Sequence, residues 1–286
     1  MIFPIASLLQ CPNCHEPLTI NESALKCANH HSFDIARQNY VNFLSASKTG
    51  VRGGDTLAMV EARTNHLEGG AYEPIAEAIL QEFRSTVLPA TEGPIKFLDL
   101  GAGTGYYSNY VIEHGSFGHG ALAIAADSSS YAVRRAAQIS PSIGALLMDS
   151  WKAFPIQDCV MDACLIVFAP RNSSEISRIL QPLGRLIVVT PAQDHLQEIV
   201  SEFRTLSVDE AKDARLGDQL GADFRRLSRT AVHYQLQLDS AAVRALVLMG
   251  PSAHHLEPAV LDAQIARTHD RQVTVSVNVD NYAKIT

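Results

Sequence analysis

Residues 97–108 read FLDLGAGTGYYS, and this stretch decides the fold class. An apolar run that contains Asp99 leads directly into Gly101, Gly103 and Gly105. Glycines let the backbone turn sharply after a strand and approach a bound group closely beside the start of a helix. Taken alone, the spacing also fits an ordinary tight strand-to-helix turn. The residues around it therefore decide between a structural turn and a ligand-binding loop.

Short, continuous apolar runs recur from residue 95 onward, and segments of helical length separate them. Such runs are typical of parallel strands that are buried on both faces. The runs are IKFLDL (95–100), GALAIAAD (120–127), GALLMD (144–149), ACLIVFA (163–169) and GRLIVVT (184–190). Two later stretches, HYQLQLD (233–239) and RQVTVSVNVDNY (271–282), alternate in polarity, which predicts an antiparallel pair at one edge. The pattern predicts an α/β fold with a doubly wound, Rossmann-like sheet.

Acidic residues end three of these predicted strands. Asp99 precedes the glycine turn, Asp127 closes the second strand and Asp149 closes the third. A carboxylate before the turn favours an amino-acid-like ligand over a pyrophosphate, and an acid after the second strand is where ribose hydroxyls are bound. Asp127 and Asp149 could instead cap the helices that follow. For Asp127 we favour ligand binding over capping, and for Asp149 the two roles are equally open. The ordered set resembles the class I methyltransferase pattern over residues 95–190, which implies S-adenosylmethionine as the cofactor.

Three cysteines and a histidine near the start have the spacing of a metal site: C-x2-C, a gap of twelve residues, and C-x3-H. They are Cys11, Cys14, Cys27 and His31. Tetrahedral zinc takes four sulfur or nitrogen ligands, and four protein ligands close the site, which predicts a structural Zn2+. His15 and His30 are alternative fourth ligands, although His31 fits the spacing better. Loss of the metal is predicted to loosen the first forty-odd residues and to leave the sheet folded.

These features divide the chain into three regions. Residues 1–44 form a small zinc-binding module with short strands and no long helix. Residues 45–94 form a Ser/Gly-rich connector and then a segment with apolar residues at helical spacing. Residues 95–286 form the methyltransferase domain, in which the charge-rich residues 201–230 are expected to be an insertion.

Composition and charge exclude several classes of protein. The chain has 286 residues, of which 47% are hydrophobic, and its formal net charge of −7 weakly disfavours nucleic acid as a partner. No apolar run approaches the ~20 residues of a membrane span. The first residues, MIFPIASLLQ, lack the basic start of a signal peptide. We therefore expect a cytoplasmic protein with no membrane contact.

Several stretches in the first two hundred residues match the motifs of one family. They are CPNCHEPL, SFDIARQNYVNFL, GGAYEPI, FLDLGAGTGYYS, VFAP and TPAQDHL. On these stretches the chain resembles the bacterial 23S rRNA (guanine-N1)-methyltransferases. The resemblance implies zinc at the four ligands named above, and contacts to S-adenosylmethionine from residues that spacing alone does not single out. Those residues are Tyr72, Tyr107, Ser108 and His195.

The resemblance further implies methylation of N1 of a guanine in a 23S rRNA hairpin loop, with the zinc module in contact with the RNA. Val167–Pro170 lies where related enzymes hold the target base, and the sequence names no catalytic proton acceptor. Cations in two groups are expected to contact phosphate. They are Arg37, Lys48, Arg52 and Arg63 in the first group, and Arg225, Arg226 and Arg229 in the second.

Other partners and functions stay open at this point. A second copy of the chain is a further candidate partner, which would make a homodimer. One alternative function is a methyltransferase of a small metabolite, which the acidic net charge favours. The other is a non-catalytic RNA- or ribosome-binding protein, which the intact glycine turn and Asp127 disfavour.

Overall fold

The computed structural model describes residues 2–44, 54–85, 93–203, 220–221, 223–250, 258–266 and 270–285. Within these ranges the helices are a 3-10 helix at Phe3–Leu8 and α1 (Leu57–Glu68), α2 (Glu73–Ser85), α3 (Tyr106–His114), α4 (Ser130–Ile139), α5 (Ser173–Ile179), α6 (Gln197–Phe203), α7 (Ser240–Leu248) and α8 (Pro258–Ile265). No helix in the described residues is both long and apolar enough to cross a lipid bilayer.

The strands of the same ranges fall into a small sheet and a large one. They are β1 (Thr19–Asn21), β2 (Ala24–Lys26), β3 (Ser32–Asp34), β4 (Tyr40–Asn42), β5 (Ile95–Leu100), β6 (Ala121–Asp127), β7 (Ile143–Leu147), β8 (Met161–Val167), β9 (Leu180–Pro191), β10 (Phe224–Leu238) and β11 (Arg271–Lys284). The small sheet is β1-β2-β3, and the order of the large sheet is β10-β11-β9-β8-β5-β6-β7-β4.

The large sheet is parallel from β4 to β9 and antiparallel at its other edge. β4 pairs with β7, and β5 to β9 pair with one another, all in parallel, whereas β11 runs antiparallel to both β9 and β10. The five predicted parallel strands and the predicted antiparallel pair are confirmed. The chain leaves β5 towards β6 and later returns to β8 on the other side of β5. The glycine turn after β5 therefore lies at the switch point where such sheets bind ligands.

Strand β10 is longer than predicted, and its length corrects the expected insertion at 201–230. The strand begins at Phe224, so residues 224–230 pair with β11 and belong to the sheet. Polarity does not alternate there because β10 is an edge strand and residues 225–227 are all exposed. Residues 204–219 of the expected insertion lie outside the described residues.

Helices cover one face of the large sheet. Residues from α1–α4 and α6–α8 share one apolar cluster with the strands. Ile75, Ile79 and Phe83 recur at helical spacing along α2 and are buried against the sheet, as the sequence predicted. The ring of Phe83 meets the ring of Phe97 on β5 at a centroid distance of 5.1 Å. Several helices start at polar side chains, and Ser129 caps α4 by accepting a hydrogen bond from the Ala132 amide.

The N-terminal module and α5 cover the other face. Residues of the module, including Ile5, Leu9 and Leu25, share an apolar cluster with Ile124 and Leu146 of the sheet. Burying this apolar area against the sheet contributes to the stability of both parts. The module is therefore packed onto the large sheet and is not a separate appendage.

The connection between β7 and β8 differs from the helical crossover that the sequence predicted. Residues 148–160 are all described, and none of them is helical. They pair instead with the start of the chain, where the Gln157 amide donates to the Leu8 carbonyl over 2.9 Å and Leu9 bridges to Ile156. The N-terminal segment thus occupies the place that a crossover helix would otherwise fill.

The predicted boundary at residue 44 is crossed by one strand. Tyr40–Asn42 forms β4, which pairs in parallel with Ala145–Leu147 at the edge of the large sheet. The end of the predicted N-terminal module is consequently part of the large sheet. The connector at 45–53 lies outside the described residues, and the division of the remaining chain into regions stays a prediction.

Candidate active site and zinc centre

The glycine turn lies at the carboxyl end of β5 and leads directly into α3, as the sequence predicted. Gly101, Gly103 and Gly105 have φ angles of 76°, 55° and 80°, in the left-handed region that favours glycine. The amide of Gly101 donates to the carbonyl of Ala126 over 2.8 Å, which anchors the turn to the end of β6. A Cβ atom on Gly101 would lie 2.3 Å from the Cβ of Ala169. The segment after β8 therefore packs directly against the turn.

Asp99 is buried between β5 and α3, with 1% of its surface exposed. Its carboxylate accepts a 2.6 Å hydrogen bond from the hydroxyl of Ser108 in the first turn of α3. Burial, which outweighs this hydrogen bond and is reinforced by the negative charge of Asp127, raises the pKa of Asp99 to about 7. The hydrogen bond between Asp99 and Ser108 thus joins β5 to α3 below the predicted cofactor. Because of its raised pKa, Asp99 becomes charged only near neutral pH.

Asp127 ends β6 beside the glycine turn. Its carboxylate accepts hydrogen bonds from the amides of Gly103 over 2.9 Å and Ser129 over 2.8 Å. Ser129 rather than Asp127 caps α4, so helix capping does not explain Asp127. Each carboxylate oxygen can accept more than one hydrogen bond, which leaves capacity for hydroxyl donors. The predicted ribose contact of Asp127 is compatible with this placement and stays a prediction.

Asp149 has a structural role in the turn that follows β7. Its carboxylate accepts a 2.9 Å hydrogen bond from the Trp151 amide, and the side chain is half-buried. The ends of β6 and β7 lie side by side, because the Met148 amide donates to the Asp127 carbonyl over 3.0 Å. Asp149 is therefore near the cofactor loop, but its contact with the cofactor remains a prediction.

Aromatic rings from distant parts of the chain gather near the ends of β8 and β9. Tyr72 lies 6.4 Å from both Phe168 and His195 between ring centroids, and Phe168 stacks on His195 at 5.7 Å. His66 of α1 meets the edge of Tyr72 at 4.9 Å. The family resemblance had implied that Tyr72 and His195 contact the cofactor. Phe168 lies in the VFAP stretch, where related enzymes hold the target base. His66 was missed, since only its position six residues before Tyr72 could have indicated it.

Phe168 combines an exposed ring with an unusual backbone. Its side chain and backbone are 39% exposed, and its φ of 54° is in the left-handed region, where phenylalanine is rarely found. Such backbone strain persists when the surrounding structure enforces it and is frequent at functional sites. The turn directs an apolar ring to the surface next to the glycine turn, where it could stack on a ligand.

His195 offers a hydrogen-bond donor rather than a base. Its Nδ1 atom accepts a 3.2 Å hydrogen bond from the Ser276 amide, so the neutral ring carries its proton on Nε2. Burial lowers the pKa of His195 to about 4, which keeps the ring neutral at physiological pH. Nε2 can therefore donate a proton in a hydrogen bond but cannot accept one.

Arg63 lies beside the glycine turn and is hydrogen-bonded within the protein, and its expected contact with RNA phosphate stays a prediction. Its guanidinium donates to the carboxylate of Asp55 over 2.6 Å and to the carbonyl of Met249 over 2.8 Å. Its Cδ atom lies 3.4 Å from the position that a Cβ of Gly103 would take. Helical spacing in α1 could not reveal this, because it does not say which neighbour each side of the helix meets.

The segment before α1 is held against the end of β6. A Cβ on Gly54 would lie 2.5 Å from the amide nitrogen of Ser129, so only glycine fits there without displacement. The hydroxyl of Ser129 donates to the carbonyl of Asp55 over 2.6 Å. These contacts fix Asp55, and through it Arg63, over the turn that carries Asp127.

The four predicted zinc ligands come together. The Nδ1 atom of His31 lies 3.5, 3.4 and 3.4 Å from the sulfurs of Cys11, Cys14 and Cys27, and the sulfurs of Cys14 and Cys27 are 3.7 Å apart. Tetrahedral zinc with bonds of about 2.3 Å to sulfur and 2.0–2.1 Å to nitrogen separates such atoms by roughly 3.5–3.8 Å. The donor set therefore fits a zinc ion.

His15 and His30 serve the turns rather than the metal. The cluster of possible metal ligands found in the described residues includes neither of them. Both have left-handed backbones, with φ of 61° and 63°, in the tight turns that follow Cys14 and Cys27.

A hydrogen bond from the backbone of Glu16 lowers the pKa of Cys14 to about 6, which favours the thiolate form that binds metal.

A known enzyme is similar to this chain over nearly its whole length. The 23S rRNA (guanine(748)-N(1))-methyltransferase of Streptomyces fradiae is 38% identical over 274 residues, which cover 96% of this chain and 95% of that enzyme. The chain belongs to the 23S rRNA (guanine-N1)-methyltransferase family. A relative from Micromonospora griseorubida, which carries a provisional name for the same type of reaction, is 39% identical over 97% of both chains. The family model described as RlmA, N-terminal, a zinc ribbon, matches residues 9–49.

Solved structures agree on the fold of this family member. A chain from the complex between the Haloferax volcanii Trm112 methyltransferase activator and a methyltransferase aligns with a TM-score of 0.51, 15% identity and coverage of 82% of this chain and 99% of that one. The YcgJ protein of Bacillus subtilis aligns with a TM-score of 0.50, 12% identity and coverage of 74% and 98%. The protein is an S-adenosylmethionine-dependent methyltransferase of class I fold with a structural zinc module.

The basic residues of this methyltransferase are only partly available for RNA. Arg37 is exposed, whereas Lys48 and Arg52 lie outside the described residues. Arg229 on β10 donates two hydrogen bonds, of 2.7 and 2.8 Å, to the buried carboxylate of Asp280. Arg226 lies 3.8 Å from the same carboxylate. The charge of the second expected group is thus partly neutralised within the protein.

Asp99 should make the stability of the unliganded protein depend on pH. Its folded pKa of about 7 is above the unfolded value of about 3.9. Between these values the folded state binds the extra proton, so the free energy of unfolding decreases as the pH rises. From pH 6 to 8 we expect a loss of about 1 kcal/mol, since one pKa unit corresponds to ~1.4 kcal/mol. Denaturant unfolding in zinc-saturated buffer measures it.

The variant Asp99→Asn should lack this component of the pH dependence. Asp34→Asn is the matched control, because Asp34 is exposed and its replacement should leave the slope unchanged. Equal slopes for the wild type and Asp99→Asn would show that Asp99 is already ionised at pH 6.

Proposed function

We propose that the protein transfers a methyl group from S-adenosylmethionine to N1 of a guanine in a 23S rRNA hairpin loop. The observation that carries this proposal is the contact between Gly101 and Ala169, which puts the exposed ring of Phe168 next to the glycine turn. A ring in that position can stack on a base while the base is held near the methyl donor. The name of the Streptomyces fradiae relative, which specifies N1 of a guanine in 23S rRNA, supports the same reaction.

We propose that the cofactor lies along the ends of β5 and β6. The glycine turn would hold the amino-acid part of the cofactor, and Asp127 would bind its ribose hydroxyls. Asp149 would contact the cofactor beyond the ribose. Tyr72, Tyr107, Ser108 and His195, which the resemblance named, would line the same site. Ser108 would act indirectly, because it is fully buried and its hydroxyl is bonded to Asp99.

The chain's own contribution to the reaction is mainly to position the base. Bound S-adenosylmethionine supplies a methyl group on a sulfonium, which an in-line nucleophile can take. Guanine N1 lies within Watson–Crick pairs, so the base has to be unpaired or flipped onto Phe168. The Nε2–H of His195, which stacks on Phe168, can donate to a carbonyl oxygen of a stacked ring. This would stabilise the negative charge that develops on guanine O6 as N1 loses its proton.

The N1 proton itself has to leave, and His195 is excluded as its acceptor by the proton on Nε2. Val167–Pro170 offers backbone carbonyls and no carboxylate at this position. We propose that the proton passes to solvent while Phe168 and His195 hold the base.

We propose that Cys11, Cys14, Cys27 and His31 bind the structural zinc and that residues 1–44 contact the RNA. The exposed Arg37 would supply a phosphate contact from this module. A ribosomal substrate also implies that the enzyme works in the cytoplasm, where ribosomes are found. The alternative, a small metabolite as substrate, is favoured by the net charge of −7 and by the neutralised Arg229.

The proposed reaction can be tested on protein-free 23S rRNA incubated with the enzyme and S-adenosylmethionine. We expect an enzyme-dependent primer-extension stop, because N1 methylation blocks the pairing face, and 1-methylguanosine by mass spectrometry of nucleosides. Phe168→Ala should reduce the yield by about 5- to 150-fold, since stacking on an aromatic ring contributes about 1–3 kcal/mol per base. It should leave cofactor affinity within twofold of the wild type.

The matched control is Leu183→Ala, which removes another exposed apolar side chain and should leave the yield unchanged, because Leu183 lies at the end of the parallel strands opposite the glycine turn. Absence of any enzyme-dependent stop, with methyl transfer to a small molecule instead, would favour the metabolite alternative.

A further inference from the structure

Arg63 has a hydrogen-bond donor that nothing in the described residues uses. Both hydrogens of one terminal nitrogen are engaged, by the carboxylate of Asp55 and the carbonyl of Met249. Its Nε–H group is buried and has no hydrogen-bond partner in the part of the chain that the structure describes. Nε lies 3.8 Å from the position that a Cβ of Gly103 would take. The unused donor is therefore buried directly over the glycine turn.

The hydroxyl of Tyr107 is a second buried polar group without a partner among the described residues. Tyr107 is 8% exposed and lies in the first turn of α3, which starts at the glycine turn. Burial raises its pKa well above the usual range, so the hydroxyl keeps its proton and can donate it in a hydrogen bond. The positive charge of Arg63 partly opposes this shift, so the guanidinium is near the hydroxyl.

We propose that Arg63 and Tyr107 bind the carboxylate of the methionine part of the cofactor. The inference rests on the proposed function only for the identity of the cofactor, and it is independent of the RNA substrate. Leaving a buried donor unpaired is unfavourable, and a ligand acceptor would remove this cost. A guanidinium N–H and a phenolic O–H beside the same turn make a pair of donors suited to a carboxylate.

The surrounding charges favour a single carboxylate over a phosphate group. Asp55 holds the guanidinium in place and offsets part of its charge. Burial raises the pKa of Asp127, and the charge of Asp55 adds to this shift while that of Arg63 opposes it, so this second acid is also close. A group with two negative charges would be repelled by these acids more strongly than a carboxylate with one. Arg63 is thus a positioning residue for the donor rather than part of an RNA-binding surface.

The proposal is tested by comparing S-adenosylmethionine with its decarboxylated analogue, using calorimetry on the full-length, zinc-loaded protein without RNA. We expect the wild type to bind S-adenosylmethionine at least about tenfold more tightly than the analogue, as charge-assisted hydrogen bonds are worth ~1.5–3 kcal/mol. Arg63→Gln should remove most of this preference by weakening the binding of S-adenosylmethionine alone. Tyr107→Phe, which removes only the hydroxyl, should reduce the preference by a smaller factor.

The matched control is Arg135→Gln, which breaks an exposed ion pair, the 2.7 Å contact between Arg135 and Glu68 of α1. It should leave the preference unchanged. Equal weakening of both ligands by Arg63→Gln would assign Arg63 a purely structural role and overturn the proposal. If Arg63→Gln does not fold, an unchanged preference in Tyr107→Phe and Arg63→Lys overturns it equally. A wild type that binds neither ligand would instead contradict the proposed function.

Discussion

Removal of the zinc should lower the thermal midpoint of the whole chain by about 10 °C or more, and not merely loosen the N-terminal module. Structural zinc contributes ~10–16 kcal/mol in zinc-finger peptides. Loss of about 5 kcal/mol would shift the midpoint of a domain of this size by roughly 10–20 °C. The effect should spread because Leu9 and Leu25 of the module share an apolar cluster with Ile124 and Leu146. Chelation and Cys14→Ala, followed by calorimetry with zinc analysis, measure it.

This expectation revises the simpler prediction that the sheet stays folded without metal. Cys159→Ala is the matched control, because Cys159 is exposed and outside the metal cluster, so zinc content and midpoint should not change. An unaltered midpoint for the sheet, with a separate early transition of the module, would restore the simpler prediction. Absence of zinc from the purified wild type would contradict the ligand assignment itself.

Gly101→Ala should reduce methyl transfer by about 10²-fold, the scale of loss that a displacement of about 1 Å produces in a positioned site. The residue has a φ of 76°, and its new Cβ would lie 2.3 Å from the Cβ of Ala169. Neither the backbone nor that side chain can yield without moving the glycine turn or the segment that carries Phe168. Single-turnover rates and cofactor affinity are measured separately. A loss of cofactor affinity would show that the glycine turn moved, and a loss of rate alone would show that the segment with Phe168 moved.

A second substitution makes this prediction more specific. Gly101→Ala combined with Ala169→Gly removes the steric conflict and leaves only the backbone strain of about 1–2 kcal/mol. We expect the double variant to recover a large part of the lost rate. Gly118→Ala is the control, because no atom lies within 4 Å of its Cβ position. A double variant as slow as Gly101→Ala would mean that backbone strain, and not the contact with Ala169, causes the loss.

The strands around the cofactor loop were predictable because their residues are unambiguous locally. Ile95–Leu100 matches the predicted first strand in full, and the glycines after it have the left-handed backbones that glycine permits. The zinc ligands were predictable for the same reason, since their spacing within a short segment limits which atoms can meet. In both cases the sequence information and the contact are close together along the chain.

The errors arose where a contact joins distant segments. Tyr40–Asn42 is too short to be recognised as a strand, and its partner is about a hundred residues away. Arg63 looked like a surface cation because one of its two partners, the carbonyl of Met249, comes from a position 186 residues later in the chain. Tyr72 and His195 were named only through family resemblance, because no local pattern indicates that their rings meet.

The packing of the first residues onto the connection between β7 and β8 has a consequence for biosynthesis. Leu9 bridges to Ile156, which the ribosome adds about 150 residues later. At about 5–20 residues per second, the apolar N-terminal segment leaves the exit tunnel roughly 7 to 30 seconds before its binding surface exists. During that interval the nascent chain exposes Ile5 and Leu9, which makes it a substrate for chaperones and prone to aggregation. Early capture of zinc by the emerging module would shorten the exposed stretch before the sheet is complete.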